Sequence, residues 1–147
     1  MSLTPPPRDS NGAVVPHDHD GILPDDGVIR RIPEQWVVPD QKHGHRRISS
    51  MAFKASSGPY GGMSIDLQRE IEEAGFDARV YVSTPRWIGS IRFAARDIRS
   101  AGFQVGYHPL VTNPYHGEVW GNFSKGQQEQ LRRACNWFVP IPEVEIS

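Results

Sequence analysis

Cysteine is almost absent. A single residue, Cys135, among 147 rules out an internal disulfide framework and a cysteine-rich zinc site. Long apolar runs are missing too: no stretch approaches the ~20 residues that a helix needs to span a bilayer. Nor does either sign of charge dominate. Sixteen Lys and Arg against seventeen Asp and Glu leave a formal net charge of −1, so no overall field draws the chain to nucleic acid or to an anionic membrane. The opening MSLTPPPRDS lacks the apolar core of a signal peptide and carries three prolines. Together these absences set the expectation of a cytoplasmic protein with no membrane segment and no nucleic-acid partner.

Turn-formers are abundant. Thirteen Pro and fourteen Gly interrupt helices and ladders and make the chain loop-rich. Mean hydropathy is −0.50, enough apolar material for one modest core. Residues 1–27 combine Pro5, Pro6, Pro7, Pro16 and Pro24 with Asp9, Asp18, Asp20, Asp25 and Asp26, and offer almost nothing to bury. They read as an extended acidic arm that docks on a surface, its own or a partner's. Residues 28–140 read as a single α+β domain and 141–147 as a C-terminal tail.

Within the domain, Val28–Ile32 reads as a strand stopped by Pro33, and Trp36–Val38 as a short apolar run closed by Pro39. Asp40–Arg47 is polar and reads as a loop, Ile48–Phe53 as a strand, and Ser56–Gly62 (SSGPYGG) as a flexible loop. Leu67, Ile71 and Ala74 have helical spacing before Gly75, with Asp66 as the expected N-cap. Arg79–Ser83 alternates and reads as a strand. Residues 84–102 read as strand Ile88–Phe93 followed by a helix from Ala94. The alternative is one helix capped by Thr84 with Pro85 next. Phe103–Tyr107 and His116–Gly121 read as strands. Ser124 and Gln127 have capping-box spacing for a last helix whose apolar face is Leu131, Ala134, Cys135 and Phe138, ended by Pro140 and Pro142. Strands and helices mix without βαβ alternation. The expected fold is therefore α+β, a small mixed or antiparallel sheet with two or three helices behind an extended arm.

Several side chains could carry chemistry. His17 and His19 lie in PHDHDG and His43 and His45 in KHGH, with His108 and His116 further on. His and Asp bind divalent metals, but an H-x-H pair in an open segment does not fix a coordination geometry, so no metal is expected. Arg30, Arg31, Lys42, Arg46 and Arg47 could gather into an anion-binding patch or form a solvated rim, and the acidic 18–26 stretch could fold back onto them. Ser49 and Ser50 lie in RRISSMAF without a G-x-S-x-G elbow or an S-x-x-K motif. Cys135 reads as a buried core thiol. Asn113-Pro114-Tyr115-His116 starts a turn and places His116 at the mouth of a strand, as a general base, a ligand contact or a turn residue. Trp36, Trp87 and Trp120 belong either to the core or to a pocket.

The strings RRISSMAFK, MSIDL and NPYHGEVWG, spread over Val28 to Gly121, resemble motifs of small uncharacterised bacterial proteins. That resemblance implies a bacterial origin and a compact domain. A fainter resemblance is to the ADP-ribosyltransferase-like fold, including RES-type toxins. Those folds hold NAD with an early-strand arginine and a later serine or threonine. Arg31 and Ser49 stand in the corresponding positions, and Glu118 stands alone where those folds carry E-x-E.

Three functional expectations result. The first is a non-enzymatic binding or accessory protein of a bacterial complex or paired gene system, of the toxin–antitoxin or defence kind. It would use no cofactor and would meet a protein partner, or itself, through residues 1–27. The second is an NAD-consuming, ADP-ribosyltransferase-like enzyme with Arg31, Ser49 and His116 as catalytic residues. The third is a small nucleotide- or phosphate-binding module, for which Arg46, Arg47, Ser50 and Asn113 are the ligand-binding candidates.

Overall fold

Alternating apolar and polar residues draw six segments into one antiparallel sheet. The computed structural model describes residues 3–56, 58–84 and 86–146. In chain order it contains strands β1 (Gly27–Pro33), β2 (Val37–Asp40), β3 (His45–Ile48) and β4 (Met63–Leu67), then helices α1 (Gln68–Glu73) and α2 (Ala78–Tyr81). Next come β5 (Trp87–Ala94), α3 (Ala95–Ser100), β6 (Gln104–Tyr107) and β7 (His116–Trp120). The chain closes with α4 (Lys125–Ala134), β8 (Asn136–Val139) and β9 (Val144–Glu145). The large sheet has the order β6-β7-β4-β1-β5-β8, and β2-β3-β9 form a small second sheet. The fold is α+β, as its sequence pattern implies. No helix among the described residues is long and apolar enough to cross a membrane.

Register assigns the faces, because directly paired residues point to the same side. Val28 pairs with Leu67 and Phe93, and Val105 with Val119. That face builds the main core with Ile98 of α3, Leu131 of α4, and Phe53. On the opposite face Ile29 meets Ile71, Ala78, Val82 and Phe138 in a smaller core. The same face carries a polar row. Asp66 pairs with His116, Ser64 with Glu118, and Arg31 with Ser90.

The arm is ordered against its own domain. His19 N–H donates to the Val105 carbonyl at 2.9 Å, and Asp18 accepts from Val105 N–H and from Arg99 Nε, both at 2.9 Å. These bonds cover the exposed edge of β6, which would otherwise offer a template for pairing. Ile22 is buried in the main core. The acidic stretch does fold back, but onto different arginines from those expected. Asp18 meets Arg99, Asp25 meets Arg96, and Asp26 meets Arg69. Arg30, Arg31, Arg46, Arg47 and Lys42 are not its partners, because the arm runs along β6 and the ends of α1 and α3.

Local chemistry overrides several readings of the pattern. Arg79–Ser83, expected as a strand, is not one: Arg79–Tyr81 belong to helix α2, which Asp77 caps by accepting from Val80 N–H at 3.2 Å, and Val82 ends it. Asp66 does not cap a helix: it lies on β4, and α1 starts from Leu67 with no side-chain cap. Ile48–Phe53 is not one strand. β3 ends at Ile48, and Ser49 Oγ accepts from Met51 N–H at 3.2 Å to start a 3-10 turn over Ser50–Phe53. Most of the expected loop Asp40–Arg47 is a hairpin, whose turn closes at Gly44 with φ +71°. The last helix stops at Ala134, because Cys135 turns extended and the next residues add β8 to the edge of β5. Phe138 therefore joins the smaller core rather than a helical stripe. Residues 84–102 follow the strand-then-helix reading. There are four helices, not two or three, among the described residues. Ser57 of the SSGPYGG loop and Pro85 lie outside them.

Candidate functional site

The site forms where β1 and β4 part. Their ladder runs only through Val28–Leu67 and Ile29–Asp66. Beyond it, the Arg30 guanidinium does the work of the missing strand partner. Its Nη1 donates to the Ser64 carbonyl at 2.8 Å and to Ser56 Oγ at 3.2 Å, its Nε to the Ala52 carbonyl at 3.1 Å, and its Nη2 to the Lys54 carbonyl at 3.3 Å. It also lies 4.6 Å from the centre of the Trp36 ring. Burial lowers its pKa to about 10, opposed by the charge of Glu118, so at neutral pH it remains a cation.

Arg31 points to the other face and closes a fork-to-fork pair with Asp66, Nε to Oδ2 at 2.8 Å and Nη2 to Oδ1 at 3.0 Å. Asn113 Nδ2 donates to the same Oδ1 at 2.7 Å. Asn113 Oδ1 in turn accepts from the Tyr81 hydroxyl at 2.8 Å and from Tyr115 N–H at 3.2 Å. Arg31 and Asn113 thus hold one buried carboxylate, and Tyr81 and Tyr115 hold Asn113. Arg31 keeps Nη1 for a further acceptor, and Ser56 Oγ, which accepts from Arg30 and from Ser64 N–H, keeps its proton to donate.

Between these groups lies a cleft of about 430 Å³, a size typical of small-ligand sites. Arg30, Arg31, Asp66, Asn113 and His116 line it together with Trp36 and Trp87. Leu110 and Thr112, from the turn before β7, complete the lining. His116 Nδ1 donates to the His108 carbonyl at 2.8 Å and lies 3.1 Å from His108 Nδ1. Burial holds the pKa of both imidazoles below the ordinary histidine value, and for His108 the neighbouring His116 adds to the effect.

Of the sequence candidates, Arg31, His116 and Asn113 converge in this cleft. Ser49 does not. Its N–H donates to the Trp36 carbonyl at 2.8 Å and its hydroxyl caps the 3-10 turn, so it stands behind the Trp36 wall. Ser50 begins that turn. Arg46 donates to the Pro142 carbonyl at 3.2 Å, and Arg47 to its own neighbour Ile48 at 3.3 Å, both on the small sheet. Asp66, Ser56 and Ser64 were not among the candidates. The alternation Met63-Ser64-Ile65-Asp66-Leu67 is the signal that places Ser64 and Asp66 together on one polar strand face.

Compared with known protein families, curated proteins and solved structures, the chain finds no match. Its chemistry is therefore argued from the cleft itself.

Proposed function

We propose that the cleft binds a small ligand that joins a planar ring to an anionic group, a nucleotide in chemical class. The observation that carries this reading is the convergence of Arg31, Asp66 and Asn113 with two tryptophans in one cleft at the β1–β4 fork. Indole flanks suit a flat ring. The unused Nη1 of Arg31 suits a phosphate oxygen. Two arginines against one aspartate give the lining a positive balance that favours an anion. The test is a titration with AMP, ADP and NAD, followed by tryptophan fluorescence and calorimetry. One saturable site is expected, weakened about tenfold or more when Trp87→Ala removes a stacking wall, since a stacked ring is worth about 1–3 kcal/mol. Absence of binding by all three up to about 1 mM sinks the reading.

NAD consumption is the enzymatic extension, supported by Arg31 and His116 lining the same cleft. Release of nicotinamide from NAD by the intact chain tests it, and no turnover above the uncatalysed rate removes it. The accessory-protein reading draws less support, because the polar groups of the arm that it invokes already bond to their own domain. Recovery of one partner by the full chain, but not by a chain lacking residues 1–27, would restore it.

A further inference from the structure

We infer that His108, His116 and Glu118 form a binding site for one divalent transition-metal ion of the zinc class. They are the only such group of three among the described residues, and their ligand atoms all lie within 4.8 Å of one another. Strand register brings them together. His116 and Glu118 are two apart on β7 and so share a face. His108 extends β6, and its N–H donates to the His116 carbonyl at 3.0 Å, which raises the two imidazoles side by side. Their Nδ1 atoms are 3.1 Å apart, and His108 Nδ1 is 4.0 Å from Glu118 Oε1. Ligands about 2.0–2.1 Å from a tetrahedral zinc stand about 3.3–3.4 Å apart. The histidine pair already has nearly that spacing, and the carboxylate, 4.0 Å from His108 Nδ1 in a group that spans up to 4.8 Å, needs to close by up to about 1.5 Å.

The surroundings suit a cation. Glu118 and His116 are buried, at 3% and 7% exposure. The seat of the carboxylate is shaped by Gly62, where any Cβ would overlap Glu118 Oε2 and approach Trp120 Nε1. A metal on His116 Nδ1 would take the place of the bond to the His108 carbonyl, and the imidazole proton would move to Nε2, so the ring stays neutral. Two histidines and a glutamate are a known donor set for zinc that keeps an open fourth position. Because His116 also lines the cleft, the ion would sit beside the cleft.

The test uses the full chain, stripped of metal and titrated with zinc chloride at about pH 7.5 without nucleotide, so it stands or falls apart from the nucleotide reading. One zinc per chain is expected, with a rise in melting temperature and, for cobalt, the intense visible absorption of a tetrahedral site. His108→Gln, at a half-buried position, should weaken binding at least about a hundredfold, beyond the range of losses seen when only outer-shell partners are removed. Glu118→Gln should do the same, and if that buried substitution fails to fold, His108→Gln carries the test. The pair His43 and His45, exposed and half-buried with rings 5.7 Å apart, supplies the control: a His43→Gln/His45→Gln variant should bind zinc as the parent does. No binding tighter than about 100 μM, or binding lost in that control but kept in His108→Gln, overturns the inference.

Discussion

Replacing Arg30 by methionine separates a structural arginine from a ligand-binding one. The guanidinium makes four hydrogen bonds, three of them to main-chain carbonyls at the point where the β1–β4 ladder stops. Hydrogen bonds to a charged group contribute about 1.5–3 kcal/mol each. Against this, burying the charge lowers its pKa to about 10, which corresponds to about 3 kcal/mol that methionine recovers. Water entering from the cleft mouth can also satisfy part of the Ser64 and Lys54 carbonyls. The expected net loss is about 3–5 kcal/mol, a large share of the 5–15 kcal/mol that holds a domain together. Urea denaturation at neutral pH, followed by circular dichroism and by tryptophan fluorescence, measures it. Arg30→Lys should recover only part of the loss, since a point charge cannot serve all four acceptors. A loss below about 1 kcal/mol for Arg30→Met would refute the view that this side chain replaces a strand partner.

Other perturbations check separate parts of the account. Ser49→Ala should cost about 0.5–2 kcal/mol of stability through the lost cap and leave ligand affinity unchanged; a large fall in affinity at full stability would return Ser49 to the site. Asp18→Ala removes the acceptor shared by Arg99 and Val105 N–H, and should cost about 1–3 kcal/mol and speed proteolysis within residues 3–26. Unchanged cleavage there would mean that the arm is not held by this residue. Cys135 is buried, and burial raises its thiol pKa to about 12. It should resist alkylation at about pH 8 in the native state and react at once on unfolding. Rapid native-state labelling would contradict its placement.

Much of the sheet was legible because it rests on alternation. β1, β6 and β7 fall within a residue or two of where Val28–Ile32, Phe103–Tyr107 and His116–Gly121 predict them. The exceptions follow from bonds made by single side chains. Asp77 turns a Val- and Tyr-rich alternating stretch into helix α2, and Ser49 ends a strand by capping a 3-10 turn. The cleft was legible only in part. Arg31, His116 and Asn113 stood out by residue type and by position near strand ends. Asp66 did not, because its neighbours Leu67 and Ile71 suggest a helix. Its role depends on Arg31, 35 positions away in sequence. The pairing of His108 with His116 depends in the same way on strand register, which spacing in the sequence does not reveal.

The central claim is that the β1–β4 fork is a ligand site. Amide chemical-shift mapping by NMR during titration with AMP or NAD tests it most directly. The account predicts saturable shifts clustered at residues 30–31, 64–66, 87 and 112–116, with the arm and the small sheet unmoved. Shifts scattered over the surface, or centred on Arg46 and Arg47, would contradict it, as would no shifts up to about 1 mM ligand.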